Sequence, residues 1–312
     1  MLAYNPYNSM NKVSFSKFLI PGFIAIALLN AGCGSKPAAD NTENPVDSTS
    51  TKEVVKKTGE VQRYSQVPSP GEMFSFIKQL GPKAKDDITR LNSTENAKKY
   101  IDNKARGLNF GVYSADLLFC STFNHGPEAL KYFVNIKKLG DDIGISTAIN
   151  EKTANRISDN LGNADSLAAI SNDLYFTTFD HLESNDRGNT LALVMAGGWI
   201  ESLFLVTSME PVYKKDSPLV NRVAEQKYTL ENLIDFMKKY EKDADVSSII
   251  KELGDLQTEF NKIEESKGSV AITVKNGKKV LGGGGGKIGI TAEQYKVVVE
   301  KIAAIRKSIT QN

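Results

Sequence analysis

The sequence predicts an all-α fold: a helical bundle of antiparallel helix pairs with a small C-terminal helix–β-hairpin–helix appendage. Between about residues 70 and 240, apolar side chains recur at spacings of three and four, which is the period of one helix face. Turn signals made of glycine, proline and asparagine divide this stretch into lengths typical of helices. Strand-like alternation stands out only near residues 270–281.

The breaks between the apolar runs define the helices of the bundle. The predicted segments are 70–80, 93–104, 106–123, 127–144, 151–161, 165–183, 189–209 and 230–240. Gly144 is predicted to end its helix in a left-handed conformation, and Thr229 to cap the start of the last one. Phe176 is predicted to face inward.

The segment 189–209 is the most apolar part of the chain beyond its N-terminal region, which predicts a helix buried at the centre of the bundle. It contains Gly197-Gly198-Trp199, and two glycines inside a helix cost roughly 1 kcal/mol each relative to alanine. Such residues allow a close approach of another helix or of a ligand. Tight helix packing and a pocket roofed by Trp199 therefore both remain open.

The C-terminal part carries two apolar stripes with helical spacing, one from Val246 to Ile263 and one from Tyr295 to Ile309. These stripes are typical of coiled-coil seams, and they could pack against each other or on the main bundle. Thr291 and Gln294 form a predicted capping box. Between the stripes, Asn276-Gly277 predicts the two-residue turn of a β-hairpin.

The N-terminus has the parts of a secretory signal. Lys12 and Lys17 precede a short apolar run, and the run is shorter than the about 20 residues that a membrane span needs. The segment Leu28–Cys33 resembles a lipobox, the signal of bacterial lipoproteins. That resemblance implies cleavage before Cys33 and a lipid on its thiol. Met1 and Met10 are both plausible starts.

Residues 33–66 are rich in Ser, Thr, Asn, Pro, Asp and Lys, which predicts a lipidated, disordered tether. No acidic residue follows Cys33 until Asp40. Surface lipoproteins of the Bacteroidota carry an acidic run there. Its absence here favours an outer-membrane lipoprotein that faces the periplasm. Asp47-Ser48-Thr49 resembles the O-glycosylation site of that phylum, which makes Ser48 a candidate for modification.

The chain thus divides into a signal peptide, a tether, a helical bundle domain and a C-terminal segment. The corresponding ranges are 1–32, 33–66, 67–242 and 243–312. The middle of the chain resembles a group of Bacteroidota lipoproteins of unknown function. The motifs that carry this resemblance are 111–117, 132–133, 139–145 and 196–201. The resemblance implies a cell-envelope location and a helical fold.

Composition excludes several classes of function. Without the two lysines of the signal peptide, the chain has 37 basic and 37 acidic residues, and a neutral domain is not typical of nucleic-acid binders. His125 and His181 have no partners at metal-ligand spacing, so we predict neither a metal nor a cofactor. Cys120 lies in an apolar stretch and is predicted to be a core residue. The glycine run 282–286 before Lys287 lacks the pattern of a phosphate loop.

Two acids fall on mainly apolar helix faces. Asp116 shares a face with Val112 and Phe119, and Glu201 shares one with Gly197 and Phe204. We therefore expect both to be at least partly buried and hydrogen-bonded. Their surroundings supply the candidate site for a ligand or for packing. Its members are Tyr113, Asp116, Gly197, Gly198, Trp199 and Glu201.

The sequence favours a membrane-anchored envelope lipoprotein that acts as a non-catalytic protein-binding or scaffolding module. Its membrane partner would be the lipid on Cys33, and its other partner an envelope protein. A binder of a small apolar or mixed ligand near Trp199 is the alternative. A hydrolase that uses buried carboxylates is a third hypothesis.

Overall fold

The structure is a computed structural model that describes residues 69–81, 87–265, 272–275, 278–281 and 288–311. Several predicted features fall outside the described residues. They are the signal peptide, Cys33, the tether with Ser48, the Asn276-Gly277 turn and the glycine run 282–286.

The described residues are mostly helical, which confirms the all-α class. The α-helices are α1 (Pro70–Gln79), α2 (Asn103–Thr122), α3 (Gly126–Asp142), α4 (Glu151–Asp159), α5 (Ala164–Ser184), α6 (Gly188–Met209), α7 (Pro218–Met237), α8 (Ala244–Phe260) and α9 (Ala292–Gln311). Short 3-10 helices span Ile88–Arg90, Thr94–Lys99 and Lys238–Tyr240.

Among the described residues between α8 and α9, the structure has four short strands. They are β1 (Glu264–Glu265), β2 (Ile272–Lys275), β3 (Lys278–Leu281) and β4 (Ile288–Gly289). β1 pairs with β4 and β2 pairs with β3, both antiparallel. The residues that would form the predicted turn between β2 and β3 are not described, so the hairpin connection stays a prediction.

Local sequence signals define most helix ends. Asp102 Oδ1 accepts a hydrogen bond from Ala105 N at 2.7 Å and so caps the start of α2. Gly144 has a φ of 73°, as predicted for a left-handed residue after α3. Thr291 and Gln294 form the predicted capping box, with reciprocal bonds of 3.2 and 2.9 Å.

Three local predictions are wrong. Helix α7 begins at Pro218, so Thr229 lies inside it and caps nothing; Pro218 suits a first turn because its missing N–H has no helical partner there. The predicted helix 93–104 is only the short 3-10 helix at 94–99, because Tyr100 is extended and Asp102 starts a new helix. Phe176 is 41% exposed, and its neighbours Tyr175 and Phe179 are buried instead.

Helix α6 forms the centre of the bundle, as its apolar composition predicts. It is long and apolar enough to span a membrane, but 89% of its most apolar window is buried inside the protein, as in the central helix of a bundle. It packs closely on α2. The contacts advance together along both helices, from Gly107 with Leu193 to Gly111 with Gly198, so this central pair runs parallel instead of antiparallel.

The C-terminal helices are part of the same packed core. Both alternatives left open by their apolar stripes occur, because α8 and α9 contact each other and both contact α6. Phe260, Tyr295, Val298 and Ile302 of these stripes are fully buried or nearly so. Within the described residues, these two helices are therefore not an appendage to the bundle, and α9 can bring side chains to its centre.

Candidate functional site

Two acids and one arginine from three helices meet under α9. Asp116 lies in the middle of α2, Glu201 on α6 and Arg306 on α9. Both acids are 0% exposed, which confirms the prediction that they are buried. Arg306 binds Glu201 with two bonds, Nε to Oε2 at 2.9 Å and Nη2 to Oε1 at 3.1 Å. This paired geometry is the strongest form of an arginine–carboxylate contact.

The guanidinium of Arg306 is also held on its other sides. Nη2 donates a second bond to the carbonyl of Arg90 at 3.3 Å. Its central carbon lies 4.6 Å from the ring centre of Phe204, a cation–π distance. Its side chain is 16% exposed, so it closes the cluster toward the surface.

Asp116 accepts fewer hydrogen bonds than Glu201. Its Oδ2 accepts a hydrogen bond from the backbone N of Asn92 at 3.2 Å. Its Oδ1 has no hydrogen-bond partner among the described residues. A buried carboxyl oxygen without a donor is costly when the group is charged.

The environment favours the protonated form of Asp116. Burial raises the pKa of Asp116 well above its usual range, and the carboxylate of Glu201 raises it further. Burial also raises the pKa of Glu201, but Arg306 opposes that effect. Burial alone lowers the pKa of Arg306, yet Glu201 more than offsets this, so the arginine stays charged.

Asn92 connects the cluster to a buried segment between the first two 3-10 helices. It is 1% exposed, and its carbonyl accepts a hydrogen bond from Tyr132 Oη at 3.0 Å. Its side-chain amide donates to Tyr100 Oη at 3.0 Å. Tyr113 Oη donates to the carbonyl of Ser93 at 2.8 Å. The backbone of this loop has no helix hydrogen bonds of its own, and these side-chain bonds fix it against α2 and α3.

The C-terminal end of α9 is tied to the same network. Asn109 Nδ2 donates to the carbonyl of Ile309 at 2.8 Å, and Tyr100 Oη donates to that of Thr310 at 3.1 Å. The last carbonyls of a helix have no partner inside it, so these side chains supply what the helix lacks. The polar cluster, defined here as Asn92, Tyr100, Asn109, Tyr113, Asp116, Tyr132, Glu201 and Arg306, therefore holds α9 on the bundle.

This arrangement has the chemistry of a structural lock. In a closed core, one guanidinium pairs with Glu201 beside the buried carboxyl group of Asp116. Hydroxyl and amide side chains around them donate to backbone carbonyls. Burial raises the pKa of Tyr113 and Tyr132, so both phenols stay neutral. The acids converge, as a hydrolase would require, but both are fully buried. The hydrolase hypothesis gains no support from this geometry.

The glycines of the candidate site serve helix packing. A Cβ on Gly197 would lie 1.9 Å from the carbonyl oxygen of Leu108, and one on Gly111 would lie 2.0 Å from that of Val194. Gly198 contacts the same part of α2, since Gly111 O would be 3.3 Å from its Cβ. The backbones of α2 and α6 therefore touch at these glycines. Of the two alternatives that the sequence left open there, the structure shows tight helix packing.

Trp199 is a core residue beside this contact. It is 3% exposed, and its Nε1 donates to Gln226 Oε1 on α7 at 3.1 Å. The one polar group of its ring, the Nε1–H, is therefore hydrogen-bonded within the protein. Cys120 is also fully buried, as predicted, and burial raises the pKa of its thiol.

A second region was not predicted: an open groove between α1, α2 and α5. Its volume is about 710 Å³. The walls and floor are formed mainly by Gly71, Ser75, Phe76, Leu118, Ala169 and Asn172. Ser75 and Ala169 are exposed, and a bridge between Lys78 Nζ and Asp165 Oδ1 at 3.0 Å lies on the rim.

Small residues create this groove. Ser69, the N-cap of α1, donates to Asn172 Oδ1 at 3.0 Å and so fixes α1 against α5. A Cβ on Gly71 would lie 2.7 Å from the same oxygen, so glycine permits this approach. Phe176 lies one turn beyond Asn172 on the same side of α5 and is an exposed apolar residue near the groove, although it does not line it.

No metal-binding group of three or more His, Cys, Asp or Glu residues occurs in the part of the chain that the structure describes. His125 occupies the N-cap position of α3, and His181 lies in the last turn of α5. Comparisons with family models, curated proteins and solved structures give no match. The polar cluster and the groove are therefore the two regions of the described residues that bear on function.

Proposed function

We propose that this protein is a lipid-anchored envelope lipoprotein whose helical domain binds another envelope protein without catalysing a reaction. The observation that carries the proposal is the groove between α1, α2 and α5. It combines an apolar floor, exposed small side chains and a polar rim. These features suit an inserted apolar segment with polar flanks.

The shape of the groove favours a protein over a small molecule. Sites for small ligands bury roughly 70–90% of the ligand in a cleft or cavity. Here the lining residues Glu72, Ser75, Lys78 and Ala169 are exposed, and the exposed Phe176 lies one helical turn beyond the lining residue Asn172. A partner helix or loop could lie along such a surface, whereas a small ligand would stay largely in water.

The proposed location rests on the sequence alone. The lipobox-like segment ending at Cys33 and the polar stretch 33–66 support a lipid anchor with a flexible spacer. The absence of an early acidic run after Cys33 supports an orientation toward the periplasm. A tether of this kind raises the local concentration of the groove near partners at the membrane.

Site-specific photo-crosslinking in intact cell envelopes tests the binding proposal. A crosslinking amino acid is placed at Ala169 in the groove and, as the matched control, at Ala304, an exposed alanine on α9 outside the groove. We expect one discrete protein adduct from Ala169 and none from Ala304. Adducts from both positions, or from neither, would contradict the proposal.

A filled groove provides the second arm of this test. Ser75→Trp should remove the adduct from Ala169, because the indole would occupy the space of the partner segment. Ser247→Trp, at an exposed serine of α8, is the matched control and should leave the adduct unchanged. Equal adducts in the two tryptophan variants would place the contact outside the groove.

The anchor is tested separately. Cys33→Ser should move the protein out of the membrane fraction or leave it unprocessed, because a diacyl chain is the proposed membrane attachment. Fractionation with an antibody against the folded domain measures this. A processed Cys33→Ser protein that still sediments with membranes would show that the lipoprotein assignment is wrong.

A further inference from the structure

The charges of the polar cluster do not balance if both acids are ionised. Asp116 and Glu201 are both 0% exposed, and Arg306, the cation of the cluster, pairs with Glu201. Two carboxylates beside one guanidinium would leave a net negative charge in the core. An uncompensated buried charge is among the most costly features that a protein can contain.

The hydrogen bonds indicate where a proton relieves this imbalance. Both oxygens of Glu201 accept bonds from Arg306, so Glu201 has the partners of a carboxylate. Asp116 Oδ2 accepts a bond from Asn92, whereas Oδ1 has no partner among the described residues. A proton on Oδ1 converts this unpaired acceptor into a donor. The side chain of Glu201 lies within hydrogen-bond reach of Asp116 and can accept that bond.

We propose that Asp116 is a proton-binding site that donates to Glu201, and that loss of this proton loosens helix α9 from the bundle. The connection to α9 is direct, because Arg306 supplies the cation of the cluster. The same network holds the carbonyls of Ile309 and Thr310. A second buried negative charge would draw Arg306 away from its paired contact with Glu201.

The other titratable groups that face Asp116 stay neutral around it. They are Tyr100, Tyr113, Tyr132 and Cys120, from the loop before α2, from α2 itself and from α3. Burial raises the pKa of each, so none supplies a charge near neutral pH. Among the described residues, Glu201 on α6 and Arg306 on α9 are the charged groups that act on Asp116.

Infrared spectroscopy tests the proton directly. A protonated carboxyl group has a C=O stretch distinct from that of a carboxylate. At pH 7 we expect this band in the wild-type protein, shifted when the side-chain carboxyl of aspartate is labelled with ¹³C and unshifted when that of glutamate is labelled. Asp116→Asn should remove it. A band that shifts with the glutamate label, or no band at all, would overturn the assignment.

Hydrogen exchange tests the effect on α9. If Asp116 holds a proton while α9 is docked and loses it when α9 opens, the opening equilibrium depends on pH. Above the ordinary pKa range of an exposed aspartate, its equilibrium constant rises about tenfold per pH unit. The ratio of wild-type to Asp116→Asn exchange rates at the last turns of α9 should therefore rise with pH. Amides of α4 serve as the control and should show a constant ratio. A constant ratio at α9 would overturn the link between the proton and the helix.

Discussion

The polar cluster and the groove use polar residues in opposite ways. In the cluster, two acids with no solvent exposure accept hydrogen bonds from an arginine and a backbone amide. In the groove, Glu72, Lys78 and Asp165 stand on an exposed rim around a small apolar floor. Among the described residues, the cluster of buried charged groups therefore lies where a partner cannot reach. The accessible groove has only ordinary exposed charges and small side chains.

This difference shows what the buried acids contribute. A buried ion pair is often no more stabilising than an apolar contact of the same shape, but breaking one side of it is strongly destabilising. The pairing of Glu201 with Arg306 fixes α9 on α6 in one position. Apolar stripes such as the one from Tyr295 to Ile309 do not specify position as sharply, because a shift by one turn can bury similar surface.

The largest expected effect comes from removing the cation of the cluster. Arg306→Met should cost about 3–5 kcal/mol of unfolding free energy at pH 7, because it leaves Glu201 buried without its partner. Denaturant unfolding measures this, with Lys307→Met, an exposed neighbour on α9, as the control within about 0.5 kcal/mol. Similar losses in both variants would show that the cluster is not a lock.

The same variant has a predicted pH dependence. Without Arg306, the hydrogen bond from Asp116 is left as the one effect that opposes burial, so the pKa of Glu201 in the folded state rises further above its value in the unfolded chain. A raised pKa stabilises the folded state at low pH and loses this stabilisation as pH increases toward the folded-state pKa. The deficit of Arg306→Met relative to wild type should therefore shrink in acid and grow toward alkaline pH.

A slightly smaller effect is expected at the glycine contact between α2 and α6. Gly197→Ala should cost about 3 kcal/mol, because its Cβ would lie 1.9 Å from the backbone oxygen of Leu108 and the helices would have to separate. Gly254→Ala on α8 is the control, with nothing within 4 Å of the added atom. That change should instead stabilise the protein by about 0.5–1 kcal/mol.

Opposite signs for the two glycine variants would confirm that α2 and α6 touch backbone to backbone. If Gly197→Ala were neutral, space for a ligand beside Trp199 would have to be reconsidered.

The smallest effect on stability is expected in the groove. Ser75→Trp adds a large side chain at an exposed position and should change the unfolding free energy by no more than about 0.5 kcal/mol. The same change should abolish partner crosslinking at Ala169. A large loss of stability in Ser75→Trp would mean that the groove is packed more tightly in solution than the structure shows.

Helical periodicity was sufficient to predict that Asp116 and Glu201 are buried, since each lies on an apolar face of its own helix. Their common partner was not predictable in the same way. Arg306 is 105 positions from Glu201 along the chain. Its approach depends on how α9 docks on α6, and the apolar stripe of α9 left two docking modes open. Asn92 was missed because a buried loop has no periodicity.

Helix ends were predictable where a side chain caps them and not elsewhere. The Thr291–Gln294 box and Gly144 behave as local signals predict. Thr229 resembles a cap in sequence, yet tertiary packing of Val220 and Val223 extends α7 through it to Pro218. The groove had no signal either, since Gly71, Ser75 and Ala169 become neighbours only when α1 packs on α5.

One crosslinking experiment compares the two regions most directly. The crosslinker at Ala169 is combined with either Asp116→Asn or Ser75→Trp, and each protein is checked for its native helical content. We expect the envelope-protein adduct to persist in Asp116→Asn, because an asparagine mimics the protonated acid within the closed cluster. We expect it to disappear in Ser75→Trp. Loss of the adduct in a folded Asp116→Asn protein, or its survival in Ser75→Trp, would contradict the division between a structural cluster and a binding groove.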